Sequence, residues 1–297
     1  MPRRLTEPSA LNATILLTLT MFLWAGNHIL GRWANGIIPP MTLAFLRWSL
    51  AAVIVLPFVW RAIRTDWNVL TANKARMLTL GFLGSGIYNT LQYIALTETT
   101  ATNAAILNSW APVLIMAMGA VIFGDRLRRN QMMGMGLSLI GVATVVLRGD
   151  LSAVSHLTLN RGDLVMLFGT AVWALYTTLL RTRPAISTLT FIGVTYAIAG
   201  VVNLPLAAYE AAHGLHVVWS LETVLAVAYA AVLASVVAYL FYTRGVEILG
   251  PTRSGAFIHL IPLFTSLMAI VLLGEQPALY HALGFALILG GLYVAGR

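Results

Sequence analysis

Long apolar runs, separated by short polar segments, fill almost the whole of this chain. A hydrocarbon layer of about 30 Å is crossed by roughly 20 helical residues, because each residue adds about 1.5 Å along the helix axis. Ten runs have a suitable length, and we therefore predict an all-α, polytopic membrane protein with ten transmembrane helices. The predicted spans are approximately 12–31, 41–60, 77–96, 101–123, 131–147, 164–180, 189–209, 223–243, 254–274 and 278–295.

The composition agrees with a chain whose solvent is mostly lipid. Hydrophobic residues make up 59% of the 297 residues and charged residues only 9%, which is unusual for a soluble domain. The formal net charge of +8 comes from short loops, so we expect a lipid bilayer as partner and no nucleic acid. There is no cysteine, which excludes disulfides, thiolate metal sites and a cysteine nucleophile. We predict neither a cofactor nor a metal site.

The basic residues predict the orientation in the membrane. With the amino terminus in the cytoplasm, fourteen of the 18 lysines and arginines fall on the cytoplasmic side. The opposite orientation conflicts with the positive-inside rule. An even number of spans returns the carboxyl terminus to the same side. We predict a multi-pass protein of the bacterial inner membrane with both termini in the cytoplasm, and its oligomeric state stays open.

The second half of the sequence matches the first after a shift of 150 positions. Pro112 then falls on Pro262, and the five predicted spans of residues 1–150 fall on those of residues 151–297. Because five is an odd number, the two halves enter the bilayer with opposite orientations. Inverted repeats of this kind are typical of secondary transporters, since either side of the membrane can open onto the site between the halves.

Two sequence blocks carry a resemblance to a known family. They are YIALTETTATNAAILNSWAPVLIMAMGAVIFGDRL (93–127) and YTRGVEILGPTRSGAFIHLIPLFTSLMAIVLLGEQP (242–277). Both have a short polar connector, small residues, a proline in the fourth span of the half, and a glycine followed by an acid. The pair resembles the repeat of the EamA-type exporters of the drug/metabolite transporter superfamily, over nearly the whole chain. The resemblance implies ten-helix export of small molecules, and within the superfamily it points to the bacterial aromatic amino-acid exporters.

A proline stands in the fourth span of each half. Pro112 and Pro262 lack an N–H group and crowd the carbonyl four residues earlier, which would free the carbonyls of Asn108 and Ile258. A freed carbonyl in lipid needs a partner from protein or water. We predict that Pro112 and Pro262 are hinges in two helices that face the interior, with a static kink for packing as the alternative.

Polar and aromatic side chains recur on one face of several predicted helices. Spacings of three and four residues place them side by side, and a polar stripe in a membrane helix turns away from lipid. Asparagines and serines also join helices by hydrogen bonds, but as a group these residues are expected to line a substrate path. The predicted substrate-binding residues are Trp24, Asn27, His28, Tyr88, Asn89, Asn108, Trp173, Tyr176, Tyr239 and His259.

The chemistry of these residues suits a particular class of substrate. Aromatic rings with neutral amides and hydroxyls fit a small amphipathic molecule, such as an aromatic or other hydrophobic amino acid. Arg47 lies inside a span, and two interpretations are open: it meets a substrate carboxylate or an internal counter-ion, or it snorkels to the membrane surface. All ten acidic residues fall in or beside loops, so His28 and His259 are the titratable groups expected inside. Proton antiport, exchange and uniport remain alternatives.

Other functions compete with amino-acid export. Drug-like or nucleoside-like metabolites are alternative cargo. A membrane enzyme would need an activated nucleophile, a metal set or paired acids at membrane depth, and no such pattern is present, so we predict that the protein is not an enzyme. An open channel conflicts with bulky Trp24 and Trp173 on the predicted path. No phosphate-binding loop for ATP is found.

Overall fold

The computed structural model describes residues 10–99, 104, 107–126, 128–147, 150, 160–273 and 279–296. Every regular element in these residues is a helix. The α-helices are α1 (Ala10–Trp33), α2 (Pro40–Thr65), α3 (Trp67–Ala72), α4 (Lys74–Leu80), α5 (Tyr88–Glu98), α6 (Ala111–Phe123), α7 (Arg129–Val146), α8 (Arg161–Leu179), α9 (Thr188–Ala212), α10 (Leu221–Ala231), α11 (Ala238–Leu249), α12 (Pro251–Ala256), α13 (Leu260–Leu273) and α14 (Leu279–Gly296).

Five helical stretches of the described residues are long and apolar enough to cross a membrane. Each contains one of the predicted runs and extends beyond it at both ends, so the prediction of helices at these places is confirmed. Ala111–Phe123 and Ala282–Ala295 are apolar but shorter. The five long stretches are Ala10–Trp33, Pro40–Thr65, Arg161–Thr182, Thr188–Ala212 and Leu221–Leu249.

Local residue chemistry explains several helix ends. Gly124 ends α6 in the left-handed conformation, with φ of 68°, which glycine adopts without a steric penalty. At the start of α8, the side chain of Asn160 accepts a hydrogen bond from the backbone N–H of Asp163, and the Asp163 carboxylate accepts one from the N–H of Asn160. This reciprocal capping box satisfies two backbone donors that have no partner inside the helix.

The first turn of α2 is capped by a residue from another helix. Glu210 of α9 is 3% exposed, and its carboxylate accepts hydrogen bonds from the backbone N–H groups of Met41 at 3.0 Å and Thr42 at 2.7 Å. The Thr42 hydroxyl also donates to it at 2.8 Å. A carboxylate at a helix N-terminus is stabilised by the helix dipole and by the unpaired N–H groups. Glu210 therefore ties the start of α2 to the end of α9, and the two helices pack along each other.

Two π-helical segments interrupt long helices at matched positions. Gly81–Ile87 lies between α4 and α5, and Val232–Val237 lies between α10 and α11. A shift of 150 positions places one segment on the other to within one residue. Wider π turns displace backbone carbonyls from their regular partners and often occur at functional sites. Sequence analysis did not predict either segment.

Helices α7 and α14 approach each other very closely. A Cβ atom added to Gly134 would lie 2.5 Å from the carbonyl oxygen of Gly291, and one added to Gly141 would lie 2.8 Å from that of Gly284. The Ser138 hydroxyl also donates to the Ile288 carbonyl at 3.0 Å. Small residues are enriched at such membrane helix contacts because they let two backbones come together.

The loops gather at two opposite ends of the helix bundle. At one end, the N–H of Val218 donates to the carbonyl of Ile37 at 2.9 Å, which joins the loop before α10 to the loop after α1. At the other end of α9, Glu247 pairs with Arg183 at 2.5 Å and with Arg244 at 2.7 Å. Buried aromatic residues of α1, α5, α8 and α11 form the centre of the bundle between these ends.

Candidate substrate site

A small cavity lies in the centre of the bundle. Its volume of about 20 Å³ is room for about one water molecule, so the helices are closed around it in this structure. Polar and aromatic side chains form most of its wall. The lining residues are Trp24, Asn27, His28, Tyr88, Asn89, Gln92, Asn108, Trp173, Tyr239, Ile258 and Ile261.

Eight of the ten residues expected to bind substrate meet at this cavity. The two others lie nearby but do not line it. The centroid of the Tyr176 ring lies 5.1 Å from that of Trp173. His259 is fully buried, and its Nε2 atom lies 3.0 Å from the carbonyl oxygen of Ser109. The structure thus brings the polar faces of α1, α5, α8 and α11 together, as their sequence patterns predict.

Aromatic rings stack around the Trp24 indole. Its centroid lies 5.1 Å from Trp173, 5.5 Å from Tyr239 and 5.0 Å from Tyr242. The Trp24 and Trp173 planes cross at 87°, the edge-to-face geometry that the ring quadrupoles favour. Tyr88 also packs on Trp173, with ring centroids 4.8 Å apart. The arrangement gives the cavity an apolar wall of flat surfaces that suits another flat group.

Arg47 is completely buried behind this wall, with 0% exposure. Its Nε donates to the Ser235 hydroxyl at 2.6 Å, and its guanidinium NH1 group donates to Asn89 Oδ1 at 2.7 Å and to the Tyr93 hydroxyl at 2.9 Å. NH1 also lies 3.3 Å from Asn27 Oδ1. The interpretation that Arg47 snorkels to the membrane surface is therefore wrong. Its head points into the bundle because neutral acceptors from α1, α5 and the second π segment surround it.

The π segments supply backbone acceptors to the site. The carbonyl oxygen of Ala234 accepts hydrogen bonds from Arg47 NH2 at 2.9 Å and from the Trp24 indole N–H at 3.1 Å. At the matched position of the other segment, the carbonyl of Gly84 accepts from the Tyr239 hydroxyl at 3.0 Å. The local change of helix type thus orients three side chains of the site.

Both predicted hinge prolines lie in the first turn of a helix, after a break. A turn at Ser109 and Trp110 precedes α6, in which Pro112 is the second residue. A short 3-10 segment, Phe257–His259, precedes α13, in which Pro262 is the third residue. This corrects the expectation that each proline interrupts a continuous helix. The first turn needs no N–H donor from its residues, so proline fits there without loss of a hydrogen bond.

Contacts between residues 150 positions apart occur repeatedly. Asn89 Nδ2 donates to the Tyr239 hydroxyl at 3.1 Å, and both residues line the cavity. His259 meets Ser109 between the two helix breaks. Trp24 and Trp173, 149 positions apart, are also in contact. Residues that contact their own counterparts are expected where a two-fold axis passes between two copies of a unit.

Several residues of the site were missed by sequence analysis. Tyr93 stands four residues after Asn89 and so shares its helix face, a signal that could have found it. The Tyr196 hydroxyl donates to the carbonyl of Ser235 at 2.9 Å, and its ring packs on Trp48 at 5.0 Å. Tyr196, Asn203 and Glu210 are seven residues apart and share one face of α9, a polar signal that could have found Tyr196.

An ion pair closes one end of α8 onto the end of α6. Arg181 binds Asp125 through two nitrogen–oxygen contacts of 2.9 and 2.5 Å, and both side chains are about one-third exposed. The Arg181 hydrogen bonds lower the pKa of Asp125 below its ordinary value. With a shift of 150 positions, Gly124 and Asp125 match Gly274 and Glu275 of the second half, and these two residues lie outside the described residues. Across the described residues, no three His, Asp or Glu side chains form a group that could hold a metal ion.

Comparisons with known proteins agree on one family. The model of the EamA-like transporter family matches the chain twice, over residues 11–147 and 160–297. An uncharacterized transporter of Archaeoglobus fulgidus is 31% identical over 285 residues, which cover 94% of this chain and 96% of the relative. A probable amino-acid metabolite efflux pump of Salmonella typhimurium is 27% identical over 290 residues, which cover 94% and 93%.

A crystal structure with 21% sequence identity shares the fold. It superposes with a TM-score of 0.74 and covers 97% of both chains. The double match of the family model, the similarity of the relatives over nearly their whole length, and the apolar helices all lead to the same conclusion. The chain belongs to the EamA-like transporter family of the drug/metabolite transporter superfamily.

Proposed function

We propose that this protein is a secondary transporter that exports aromatic or other hydrophobic amino acids across the bacterial inner membrane. The observation that carries the proposal is the central cavity, where aromatic rings and neutral amides from several helices meet. Flat rings offer stacking partners to an aromatic side chain, and carboxamides offer hydrogen bonds to its polar end. The efflux pump of Salmonella typhimurium, named for amino-acid metabolites, supports export of this class.

The proposed architecture has ten spans in two inverted five-helix repeats, residues 1–150 and 151–297, with both termini in the cytoplasm. The two matches of the family model support a repeat. Contacts between counterparts, such as Asn89 with Tyr239, support an axis that passes through the cavity. Such an axis would let one site face either side of the membrane in turn.

The proposed mechanism is alternating access. The cavity is far smaller than an amino acid, so helices must separate before a substrate can enter. The breaks before Pro112 and Pro262 and the two π segments are the places where a helix can bend with little loss of hydrogen bonding. We propose that these points act as the hinges. We also propose that Tyr176 and His259, which lie behind the cavity wall, contribute to substrate binding when the helices separate.

Flux into liposomes that contain the pure protein tests this proposal. We expect saturable transport of labelled phenylalanine, tryptophan or leucine, with weaker or no transport of nucleosides and cationic dyes. Runs with and without a pH gradient separate proton antiport from uniport or exchange. Chemical analysis shows whether the transported compound is unchanged. An enzyme would convert it into a different compound. Preferred flux of nucleosides or dyes would contradict the proposed substrate, and flux that does not saturate would contradict a carrier.

A further inference from the structure

Arg47 carries a positive charge that the described residues leave without a nearby negative partner. The described hydrogen-bond acceptors of its guanidinium are Ser235, Asn89, Tyr93, Asn27 and the Ala234 carbonyl, all of them neutral. The ion pairs found in the described residues do not include it. A buried charge without a counter-ion is costly, and within a membrane such a residue is a functional candidate by default.

The guanidinium also decides which way the nearby amides point. Arginine has only donors, so Asn27 and Asn89 must turn their carboxamide oxygens toward it, as the structure shows. Both asparagines line the cavity. Their N–H₂ ends are therefore left for the cavity side, where Asn89 Nδ2 already donates to the Tyr239 hydroxyl. Arg47 thus supports a set of hydrogen-bond donors, and its own charge lies one amide group behind them.

The cavity contains no opposing negative group in the part of the chain that the structure describes. None of the lining residues is acidic. A recess of about 450 Å³ at the end of the bundle proposed to face the cytoplasm is also basic. Among the described residues of its wall are Arg126, Arg128, Arg181 and Arg253, against one acid, Asp125. The central cavity, with Arg47 beside it, and this recess would both attract an anion.

Resting on the proposed function, we infer that the site selects substrates by a carboxylate, which binds at the donor ends of Asn27 and Asn89 under the charge of Arg47. Arg47 acts as a positioning residue, because it holds the two amides that touch the substrate. An amine without a carboxylate is rejected by the same charge. The site accordingly takes amino acids and simple aromatic carboxylates, and it discriminates against organic cations.

The aromatic wall makes this inference open to a sharp test. Without Arg47, a cavity of Trp24, Trp173 and Tyr239 rings would attract cations through their negative faces. Loss of the arginine charge should therefore reverse the preference of the site as well as weaken it. A residue with only a structural role would lower the affinity for all ligands together.

The experiment measures dissociation constants of the purified full-length protein for three ligands of similar shape. Phenylalanine has a carboxylate and an amine, 3-phenylpropionate has only the carboxylate, and 2-phenylethylamine has only the amine. In the wild type we expect 3-phenylpropionate to bind about tenfold or more tightly than 2-phenylethylamine, as expected for one charge near a protein interior. Arg47→Gln should reduce this ratio to one or below, and Arg47→Lys should retain part of it.

Two further variants keep the test independent of the folding of Arg47→Gln. Asn89→Asp gives Arg47 a carboxylate partner in place of an amide, so it should abolish the preference while the hydrogen bond to Arg47 remains. Arg64→Gln is the matched control, since Arg64 is an exposed arginine of the same helix. Its guanidinium lies over the ring of Trp60, 5.1 Å from the ring centroid. The ligand ratio of Arg64→Gln should equal that of the wild type.

The outcomes separate this inference from the proposed function. Equal or tighter binding of 2-phenylethylamine by the wild type, a full tenfold preference in Arg47→Gln, or no measurable binding of any ligand would overturn the inference. Flux into liposomes is measured beside binding. Tight carboxylate binding without flux would contradict export and leave the inference standing. Flux that favours the amine would leave export standing and contradict the inference.

Discussion

Charged residues inside this molecule and at its ends differ in their burial and in the charge of their partners. Arg47 is fully buried among neutral partners, whereas Asp125 and Arg181 form a partly exposed pair. The polar stripes could be predicted because their members share one helix and its period. The partners of Arg47 could not, because they come from helices far apart in the sequence. Sequence proximity likewise favours Arg126 or Arg128 as the partner of Asp125, but folding brings Arg181 to it.

The Trp24 side chain is a central part of the aromatic wall. Its indole packs on Trp173, Tyr239 and Tyr242 and donates to the Ala234 carbonyl. We expect Trp24→Ala to reduce the flux of aromatic amino acids about tenfold or more, since each aromatic pair contributes about 1 kcal/mol beyond its buried area. Liposome flux measures the effect. Trp67→Ala, which removes an exposed tryptophan, should leave flux unchanged. Equal flux from both variants would contradict a role for Trp24.

The Asp125 pair gives a pH dependence with a definite sign. Because Arg181 lowers the pKa of Asp125 in the folded protein, the pair stabilises the fold above the pKa of the unfolded state. That contribution is lost as the pH falls through the lowered pKa. We expect wild type to melt slightly above Asp125→Asn from about pH 5 to pH 8, with the gap closing below about pH 4. Thermal melts in detergent at several pH values measure the gap. A gap that widens in acid would contradict the assignment.

At the level of helices, positions were predictable and their internal breaks were not. Runs of apolar residues predict where a helix crosses lipid, and α1, α2, α8 and α9 lie at the predicted places. The π segments leave no comparable trace. Gly81–Ile87 contains three glycines, but Val232–Val237 has none. Their carbonyls accept hydrogen bonds from Arg47, Trp24 and Tyr239, and these contacts between helices far apart in the sequence become visible only when the helices are packed.

The contact between α7 and α14 provides a test within one helix. A Cβ atom at Gly291 would lie 2.5 Å from the Gly134 carbonyl oxygen, while the nearest described atom to one at Gly290 would be in Leu137, at 3.8 Å. We expect Gly291→Ala to destabilise the protein by about 1–3 kcal/mol, as overpacking commonly does. Gly290→Ala should be neutral or slightly stabilising, because alanine favours helix. Thermal melts of the two variants measure the difference. Equal melting temperatures would contradict the close packing of these helices.

The whole molecule is a multi-pass membrane protein of a transporter family, which acts on a small-molecule substrate. The all-helical membrane fold could be predicted from hydropathy, since lipid leaves few ways to satisfy the backbone. The closed state of the central cavity could not. It depends on how side chains from separate helices fill the space between them, and periodicity contains no information on that.

The inverted arrangement predicts that equivalent loops of the two halves lie on opposite sides of the membrane. Asn35 and Ala185 are exposed loop residues 150 positions apart. The chain has no cysteine, so Asn35→Cys and Ala185→Cys each introduce a single reactive thiol. In intact cells, a maleimide that cannot cross the membrane should label Asn35→Cys and should label Ala185→Cys only after the cells are opened. Labelling of both from outside would contradict two inverted halves.

The contacts of Asn89 with Tyr239, Ser109 with His259, and Ser138 with Ile288 also bear on how this chain has been able to change over evolutionary time. If the halves arose by duplication, the two positions of each pair began as identical residues in contact with each other. Each later substitution at one position of a pair changed the surroundings of the other position. Substitutions at the two positions were therefore not independent. Among relatives, positions 89 and 239 should therefore co-vary more strongly than lipid-facing positions at the same separation.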